Sequence, residues 1–331
     1  RVAAGFRSAA RGDTMTPSRT LALEVAAVGA EALDVLRIEL VDPAGGELPA
    51  FEPGAHLEVT LPNGMRRQYS LVNDWRERHR YVLGVGRSRA GRGGSNFVHE
   101  QARVGMRWDC RSPVNNFRLD PDASSYLLIG GGIGITPLVA MARWCAAGHK
   151  PWRLVYAARS LQRMAFSEEL CALDGDVHLH GDRESGGPLD VAALLSGRMP
   201  GEQVYCCGPA ALMDAVGLAC RDLPANIAHF EWFSASPAET VDTEGFWIDL
   251  HRSGSALFVP PNQSVLEVLE AHGHEIPYSC REGLCGTCET GVCAGEPDHH
   301  DYVIAPAERA SRNTMMVCVS RAKTPRLTLD L

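Results

Sequence analysis

Apolar residues in the first third of the chain fall in short runs rich in β-formers, at 21–28, 33–41, 56–60, 68–72 and 81–85. Turn signals such as Asp42-Pro-Ala-Gly-Gly46 and Leu61-Pro-Asn-Gly64 separate them. Several short strands at this spacing predict a small antiparallel β-barrel. Beyond residue 124 the pattern changes. Ser125-Tyr-Leu-Leu-Ile129 is almost wholly apolar, as a strand buried on both faces is, and it runs through Gly130-Gly-Gly-Ile-Gly134-Ile-Thr136-Pro137 into an apolar helix over 138–147. Further strands at 152–157, 176–180, 203–207 and 227–233 alternate with helices at 166–173, 191–195 and 210–220. This order predicts a parallel sheet with helices on both faces, whose ligands sit at the carboxyl ends of the strands. The glycine turn and Cys207-Gly208-Pro209 both lie at such ends.

A polar stretch carrying Pro237 then reads as a linker over 234–245. After it come a hairpin around His251-Arg-Ser-Gly-Ser255 and a helix over 264–272, capped by Ser264 with Glu267 three residues on. The domains expected are therefore a β-barrel over 15–118, an α/β domain over 119–233 and a third domain over 246–331, with 1–14 a flexible extension.

Composition narrows the class. At 331 residues the chain exceeds what one core usually supports. Hydrophobic content of 45% with 22% charged residues fits a globular protein, and the net charge of −8 argues against a nucleic-acid surface. No apolar run reaches the ~20 residues that span a bilayer, and no signal peptide is visible. Cys145, Cys171 and Cys220 sit singly in apolar surroundings, which fits a reducing, cytoplasmic setting rather than a disulfide framework. Charge is uneven. Residues 246–331 hold 11 acidic and 7 basic side chains, so −4, while 15–118 hold 12 and 14, so +2.

The strongest chemical signal is Tyr278-Ser-Cys280-Arg-Glu-Gly-Leu-Cys285-Gly-Thr-Cys288, with Cys318 after 29 more residues. Cys-x4-Cys-x2-Cys with a distant fourth cysteine is the plant-type spacing for a [2Fe–2S] cluster. Three ligands on one loop need a sharp turn and inward N–H groups, which small residues such as Gly283 and Gly286 permit. A zinc site usually shows two Cys-x2-Cys pairs, and only one is present; Cys293 is the rival ligand. The histidines at 272, 274, 299 and 300 form no metal box, and His178 with His180 reads as structural.

A second signal is a glycine-rich loop, Gly91-Arg-Gly-Gly-Ser95, opening a helix, with Arg87 before it and Arg92 within it. Free N–H groups at a helix start together with arginines can cradle a terminal phosphate dianion, though a solvated hairpin turn has the same composition. Arg67-Gln-Tyr69-Ser70 on a strand says little alone.

Taken together these motifs resemble the reductase components of Rieske-type oxygenase systems, the phthalate dioxygenase reductase and vanillate demethylase reductase group, over residues 19–331. The resemblance rests on Arg67-x-Tyr69-Ser70, Gly91-Arg-Gly-Gly-Ser95, Gly131-Gly-Ile-Gly-Ile-Thr-Pro137, Tyr205-Cys-Cys-Gly-Pro209, His229-Phe-Glu-Trp-Phe233 and the cysteine-bearing C-terminus with Val317-Cys-Val-Ser-Arg-Ala322. It implies an FMN-binding barrel, a nicotinamide domain and a C-terminal β-grasp, plant-type ferredoxin. Tyr69 and Ser70 would lie against the flavin. Arg67, Arg87, Gly93, Gly94 and Ser95 would hold its phosphate, in a loop version that goes with FMN. Gly132, Thr136, Cys207, Gly208, Pro209, Glu231 and Phe233 would frame the nicotinamide. Cys280, Cys285, Cys288 and Cys318 would be the cluster ligands.

The activity implied is NADH-dependent reduction of FMN, then of the cluster, then of a partner oxygenase, by a cytoplasmic monomer. Hydride transfer needs the nicotinamide within roughly 3–3.5 Å of the flavin, and Tyr69, Thr136 and Cys207 are expected to enforce that. Thr136 could instead only cap its helix, and Cys207 could be merely a small apolar residue. Arg159, Ser160 and Arg163 stand where a 2′-phosphate would bind and are permissive for NADPH, with NADH favoured. Arg281, Glu282, Gly283 and Leu284 are candidates for the surface that meets the partner. Two alternatives stand beside this reading: a reductase module of a longer fused monooxygenase, and a passive iron–sulfur carrier.

Overall fold

The structure is a computed structural model, described for residues 20–88, 93–224, 226–234, 244–304 and 306–331. The expected extension at 1–14, most of the expected linker, and Gly91 and Arg92 lie outside the described residues.

The alternating runs of the first third form β1 (Thr20–Ala32), β2 (Val35–Val41), β3 (His56–Thr60), β4 (Arg66–Ser70), β5 (Tyr81–Gly86), α1 (Gly94–Gln101) and β6 (Arg107–Arg111). The strands pair antiparallel in the order β4-β3-β6-β1-β2-β5. The ends meet. Leu71, just past β4, bridges Leu83 of β5, and the Val72 N–H donates to the Val82 carbonyl at 3.0 Å. Closure buries Leu23, Val25, Ile38, Leu57, Tyr81 and Trp108 inside.

The α/β pattern gives β7 (Tyr126–Gly131), α2 (Ile135–Ala147), β8 (Trp152–Ala158), α3 (Ser167–Cys171), β9 (Asp176–Gly181), α4 (Asp182–Ser185), α5 (Val191–Ser196), β10 (Gln203–Cys207), α6 (Ala210–Cys220) and β11 (Ala228–Glu231). The sheet is parallel throughout, in the order β11-β10-β7-β8-β9. Apolar packing covers it on both faces. The cluster on the α2 face also takes in Val35, Val72 and Val82 of the barrel, so the first two domains share a continuous apolar seam. Ion pairs across it join Arg37 to Glu169 at 2.7 Å and Arg163 to Asp34 at 2.8 Å.

The last part holds β12 (Phe246–Leu250), β13 (Ala256–Val259), α7 (Val265–Ala271), β14 (Glu289–Ala294), β15 (Pro297–Asp298), α8 (Pro306–Arg309), β16 (Thr314–Met316), β17 (Arg321–Ala322) and β18 (Arg326–Leu329). Its main sheet runs β13-β12-β18-β14-β16, with β12 and β18 parallel and the remaining pairs antiparallel. The expected capping box on α7 is present in both directions between Ser264 and Glu267. The core, including Phe246, Ile248, Leu266, Leu269, Met315 and Leu329, draws only on residues of this module.

Element boundaries shift by a few residues from the sequence expectation. The helix expected over 166–173 is confined to α3, and Cys171 is exposed instead of sitting in apolar surroundings. Among the described residues no helix is long and apolar enough to cross a membrane.

Candidate functional site

The cysteine loop wraps because three of its residues take left-handed backbone angles: Arg281 at φ 59°, Gly283 at 69° and Gly286 at 75°. At Gly283 a side chain is also excluded by space, since a Cβ would stand 2.6 Å from Val319 Cγ2. The turn points N–H groups at sulfur. Glu282 and Leu284 each donate to Cys280 Sγ at 3.3 Å. Cys318 comes from the segment after β16. The thiols form two pairs, Cys280 with Cys285 and Cys288 with Cys318, joined through a Cys280–Cys318 contact. The hydrogen bonds from Cys285 and Cys318, with those two N–H groups, hold the Cys280 thiol well below its ordinary value, while Cys285 and Cys318 are pushed up as the proton-carrying partners. Among the described residues no set of His, Cys, Asp and Glu closes round a single ion position. Two adjoining pairs of thiols suit a binuclear iron–sulfur cluster. Cys293 is exposed and outside the group.

β4 presents the second set. By strand alternation Arg67 and Tyr69 share one face. Arg67 packs against Gly94 at the start of α1, where a Cβ would collide with its guanidinium. It is tethered there by a hydrogen bond from Nη1 to the Arg66 carbonyl at 2.7 Å. α1 begins at Gly94 with no acidic residue in its first turn, and the Ser95 hydroxyl accepts from the Ser88 N–H at 3.1 Å. A guanidinium beside an open helix N-terminus is an anion site. Arg87 departs from the expectation: its Nη2 is bound to Glu100 of α1 at 2.9 Å, and it stands exposed. The strand geometry thus brings Arg67 to the loop and commits Arg87 to an ion pair. The Tyr69 hydroxyl and Ser70 Oγ are buried without a hydrogen-bond partner.

The third set lies where the barrel meets the parallel sheet. Gly84 of β5 faces Thr136, whose methyl would lie 2.8 Å from a Cβ built there. Thr136 is buried, and its hydroxyl donates to the Ile133 carbonyl at 3.0 Å. Gly134 packs directly on the Cys207 carbonyl and Gly131 on Pro209 and Gly208, so the two loops at the carboxyl ends of β7 and β10 touch. Gly132 carries φ 54°, and its carbonyl accepts from the Tyr156 hydroxyl at 3.0 Å. Cys207 is fully buried and pairs in register with Glu231 of β11. Glu231 Oε2 is buried without a partner, and burial pushes the carboxyl up to about 8. Phe233 stands 42% exposed just past β11 rather than closed over the site.

Buried polar atoms are nearly always satisfied within a folded chain. Three of the seven unpartnered ones found among the described residues belong to Tyr69, Ser70 and Glu231, side chains singled out from the sequence. A flavin and a nicotinamide bring amides and ring nitrogens that would satisfy them, so the residues fit these groups.

Sequence reasoning missed what joins the sets. Arg66 Nη1 donates to the Tyr278 carbonyl at 2.7 Å and Asn116 Nδ2 to the Cys285 carbonyl at 3.0 Å, from barrel to cysteine loop. Trp232 and Tyr302 rings lie 5.0 Å apart across the other edge. Arg66 sits beside the Arg-x-Tyr-Ser motif but on the opposite strand face; nothing in the sequence marks Asn116. The loop is therefore only partly a free surface. Gly283 is buried and Arg281, though exposed, is bound bidentately by Glu270 at 2.7 and 2.8 Å. Arg163, one of the candidates for a 2′-phosphate, is taken by Asp34. Arg159 remains exposed beside Ser160, with no side-chain partner among the described residues.

Comparison with known proteins agrees with this geometry. The 2Fe-2S iron-sulfur cluster binding domain family matches residues 248–323. The chain is 42% identical over 318 residues to the phenoxybenzoate dioxygenase subunit beta of Ectopseudomonas oleovorans, covering 96% of this chain and 98% of that protein. It is 42% identical over 317 residues to the phthalate dioxygenase reductase of Burkholderia cepacia, covering 94% and 97%. The solved structure titled phthalate dioxygenase reductase, a modular structure for electron transfer from pyridine nucleotides to [2Fe-2S], aligns with a TM-score of 0.69 at 41% identity over 94% of this chain and 98% of that one. An intact type IV self-sufficient cytochrome P450 monooxygenase aligns with a TM-score of 0.87 at 37% identity over 94% of this chain, which spans 41% of that protein's length.

Proposed function

The chain belongs to the family of oxygenase reductases that includes phthalate dioxygenase reductase, and from this premise we propose that it carries electrons from NADH through FMN and a [2Fe–2S] cluster to an oxygenase. We assign flavin binding to residues 15–118, nicotinamide binding to 119–233 and the cluster to 246–331, with 234–245 the linker. What carries the reading is one spatial fact: the cysteine loop is hydrogen-bonded to the barrel, at Tyr278 by Arg66 of the strand that bears Tyr69 and Ser70 and at Cys285 by Asn116.

FMN, when bound, supplies the conversion between the electron pair of a nicotinamide and the single electrons a [2Fe–2S] cluster takes. The chain's own part is to bind and orient. Arg67 with the N–H groups of Gly93, Gly94 and Ser95 would hold the phosphate. Tyr69 and Ser70 would offer their unpaired hydroxyls to the ring. Gly132, Thr136, Gly208 and Pro209 form the narrow wall on which a nicotinamide would lie, with Phe233 at its open end. Cys207 keeps its proton, because burial and the neighbouring Glu231 both oppose a thiolate there. Glu231, protonated near neutrality, offers an O–H donor suited to an uncharged carboxamide. Cys280, Cys285, Cys288 and Cys318 would ligate the cluster, with the Glu282 and Leu284 N–H groups fixing Cys280.

The test is a visible spectrum. Flavin and cluster bands that both bleach on anaerobic addition of NADH support the proposal. A cluster band that NADH leaves untouched makes the protein a passive carrier.

A second reading keeps the chemistry and changes the partner. The three modules superpose better on the self-sufficient P450, at TM-score 0.87, than on phthalate dioxygenase reductase, at 0.69, despite lower sequence identity. That supports the reading of the chain as the reductase module of a longer fused monooxygenase. Reduction of a separate Rieske oxygenase by the isolated chain decides between them. The cysteines, none of them paired, suit the reducing cytoplasm, where we place the protein as a monomer; its mass in solution by light scattering checks the latter.

A further inference from the structure

The ferredoxin module is joined to the other two in a different manner from the way they join each other. Barrel and parallel sheet share an apolar seam. The ferredoxin core shares no residue with either, among the described residues. Its contacts with them include two hydrogen bonds to backbone carbonyls of the cysteine loop, with one aromatic contact, Trp232 on Tyr302, outside the loop. Such an interface leaves much of the docking to individual hydrogen bonds.

Two of those bonds bracket the loop. β4, where the barrel closes on β5, has two faces. Arg67 and Tyr69 take one, the face assigned above to flavin. Arg66 takes the other, donates to the Tyr278 carbonyl two residues before Cys280, and lies 4.7 Å from the centre of the Tyr278 ring. Arg281 stacks on the same ring at 4.1 Å and is itself held by Glu270. At the far end Asn116, in the segment after β6, donates to the carbonyl of Cys285, a cluster ligand. On β3 the buried His56 is the Cα partner of Ser70. A donor with full charge makes the Arg66 bond roughly twice as strong as a neutral one.

We propose that Arg66 and Asn116 are positioning residues: together they clamp the cysteine loop to the flavin strand and so fix the separation between flavin and cluster sites. This rests on the functional reading above. Because both acceptors are backbone carbonyls, the clamp holds the loop whatever its side chains are. β4 then serves both redox sites: Arg67, Tyr69 and the terminal Ser70 the flavin, and Arg66 the cysteine loop.

The test compares wild-type holoprotein with Arg66→Ala, Asn116→Ala, the double variant and Arg66→Lys. Hydrogen exchange of the amides at 278–288 reads docking directly. Stopped-flow mixing with NADH reads flavin and cluster bleaching separately. Arg66→Ala is expected to exchange its loop amides about tenfold faster and to bleach its cluster about tenfold more slowly, the scale of one lost charge-assisted hydrogen bond, and the double variant, which loses both bonds, to exceed it in each readout. Flavin bleaching should stay within about twofold and the melting temperature of the barrel should not move; Arg66→Lys should recover most of the loss, since an ammonium can also donate to the Tyr278 carbonyl. Unchanged loop exchange overturns the proposal. So does a flavin rate that falls by the same factor as the cluster rate, which would put Arg66 in the flavin site. If NADH bleaches nothing in the wild-type protein, the functional reading fails, and the exchange data alone still decide whether the clamp exists.

Discussion

Cys207 and Glu231 stand side by side in register on neighbouring parallel strands, at the carboxyl end of the sheet. Neither can ionise cheaply there. Burial first, and then the Glu231 charge, push the Cys207 thiol up, while burial alone raises the Glu231 carboxyl from 4.5 to about 8. Cys207 is buried and Glu231 half-buried with its Oε2 enclosed, and the pair makes stability depend on pH. A raised folded value means that the folded state keeps a proton the unfolded chain releases. The contribution of Glu231 is thus fully present below about 4.5 and is lost as pH rises through about 8. Thermal melts between about pH 5 and about pH 9 should fall with rising pH, and Glu231→Gln should flatten that fall. An identical slope in the variant would show that another group is responsible.

Gly134 lies against the Cys207 carbonyl with no room for a side chain. Gly134→Ala forces the glycine turn off the Cys207-Gly208-Pro209 loop. Overpacking of this kind costs roughly 1–3 kcal/mol. A lower melting temperature together with weaker NADH binding, measured by titration, is expected; retention of both would mean that the turn shifts freely.

Cys285→Ser removes one thiol from the pair with Cys280. The expected protein lacks cluster absorption and cytochrome c reduction, yet still reduces its flavin with NADH. Loss of both activities with the fold intact by circular dichroism would contradict the serial order of the two sites.

Arg163 and Arg159 separate a structural from a recognition role. Arg163 holds Asp34 across the barrel seam at 2.8 Å, and both side chains are about one-third exposed, so Arg163→Ala should cost at most about 1 kcal/mol and leave coenzyme choice unchanged. Arg159 is unengaged at the end of β8. Arg159→Ala should lower any residual use of NADPH and spare NADH. A change in NADPH use with Arg163→Ala instead would reassign the 2′-phosphate site.

Much was legible along the chain because the signals are local. Strand alternation, the apolar run at Ser125-Tyr-Leu-Leu-Ile129, the Ser264–Glu267 box and the cysteine spacing are each satisfied within one element or one loop, so their physics is written in consecutive residues. Backbone spacing alone requires a tight turn at Gly283. What the sequence leaves open is which of several similar groups tertiary packing selects. Arg67 and Arg87 look alike as phosphate ligands until Glu100 claims one of them. Arg159 and Arg163 look alike until Asp34 claims the other. Arg66 is one position from a recognised motif, but strand parity turns it outward, where a carbonyl 212 residues away accepts its proton. The sequence alone determined the modules, their order and the cysteine pattern of the iron–sulfur module, because short-range periodicity and spacing specify them. Only the tertiary structure decided which charges remain unspent and how the cysteine loop lies on the flavin strand, because those depend on partners brought together from distant parts of the chain.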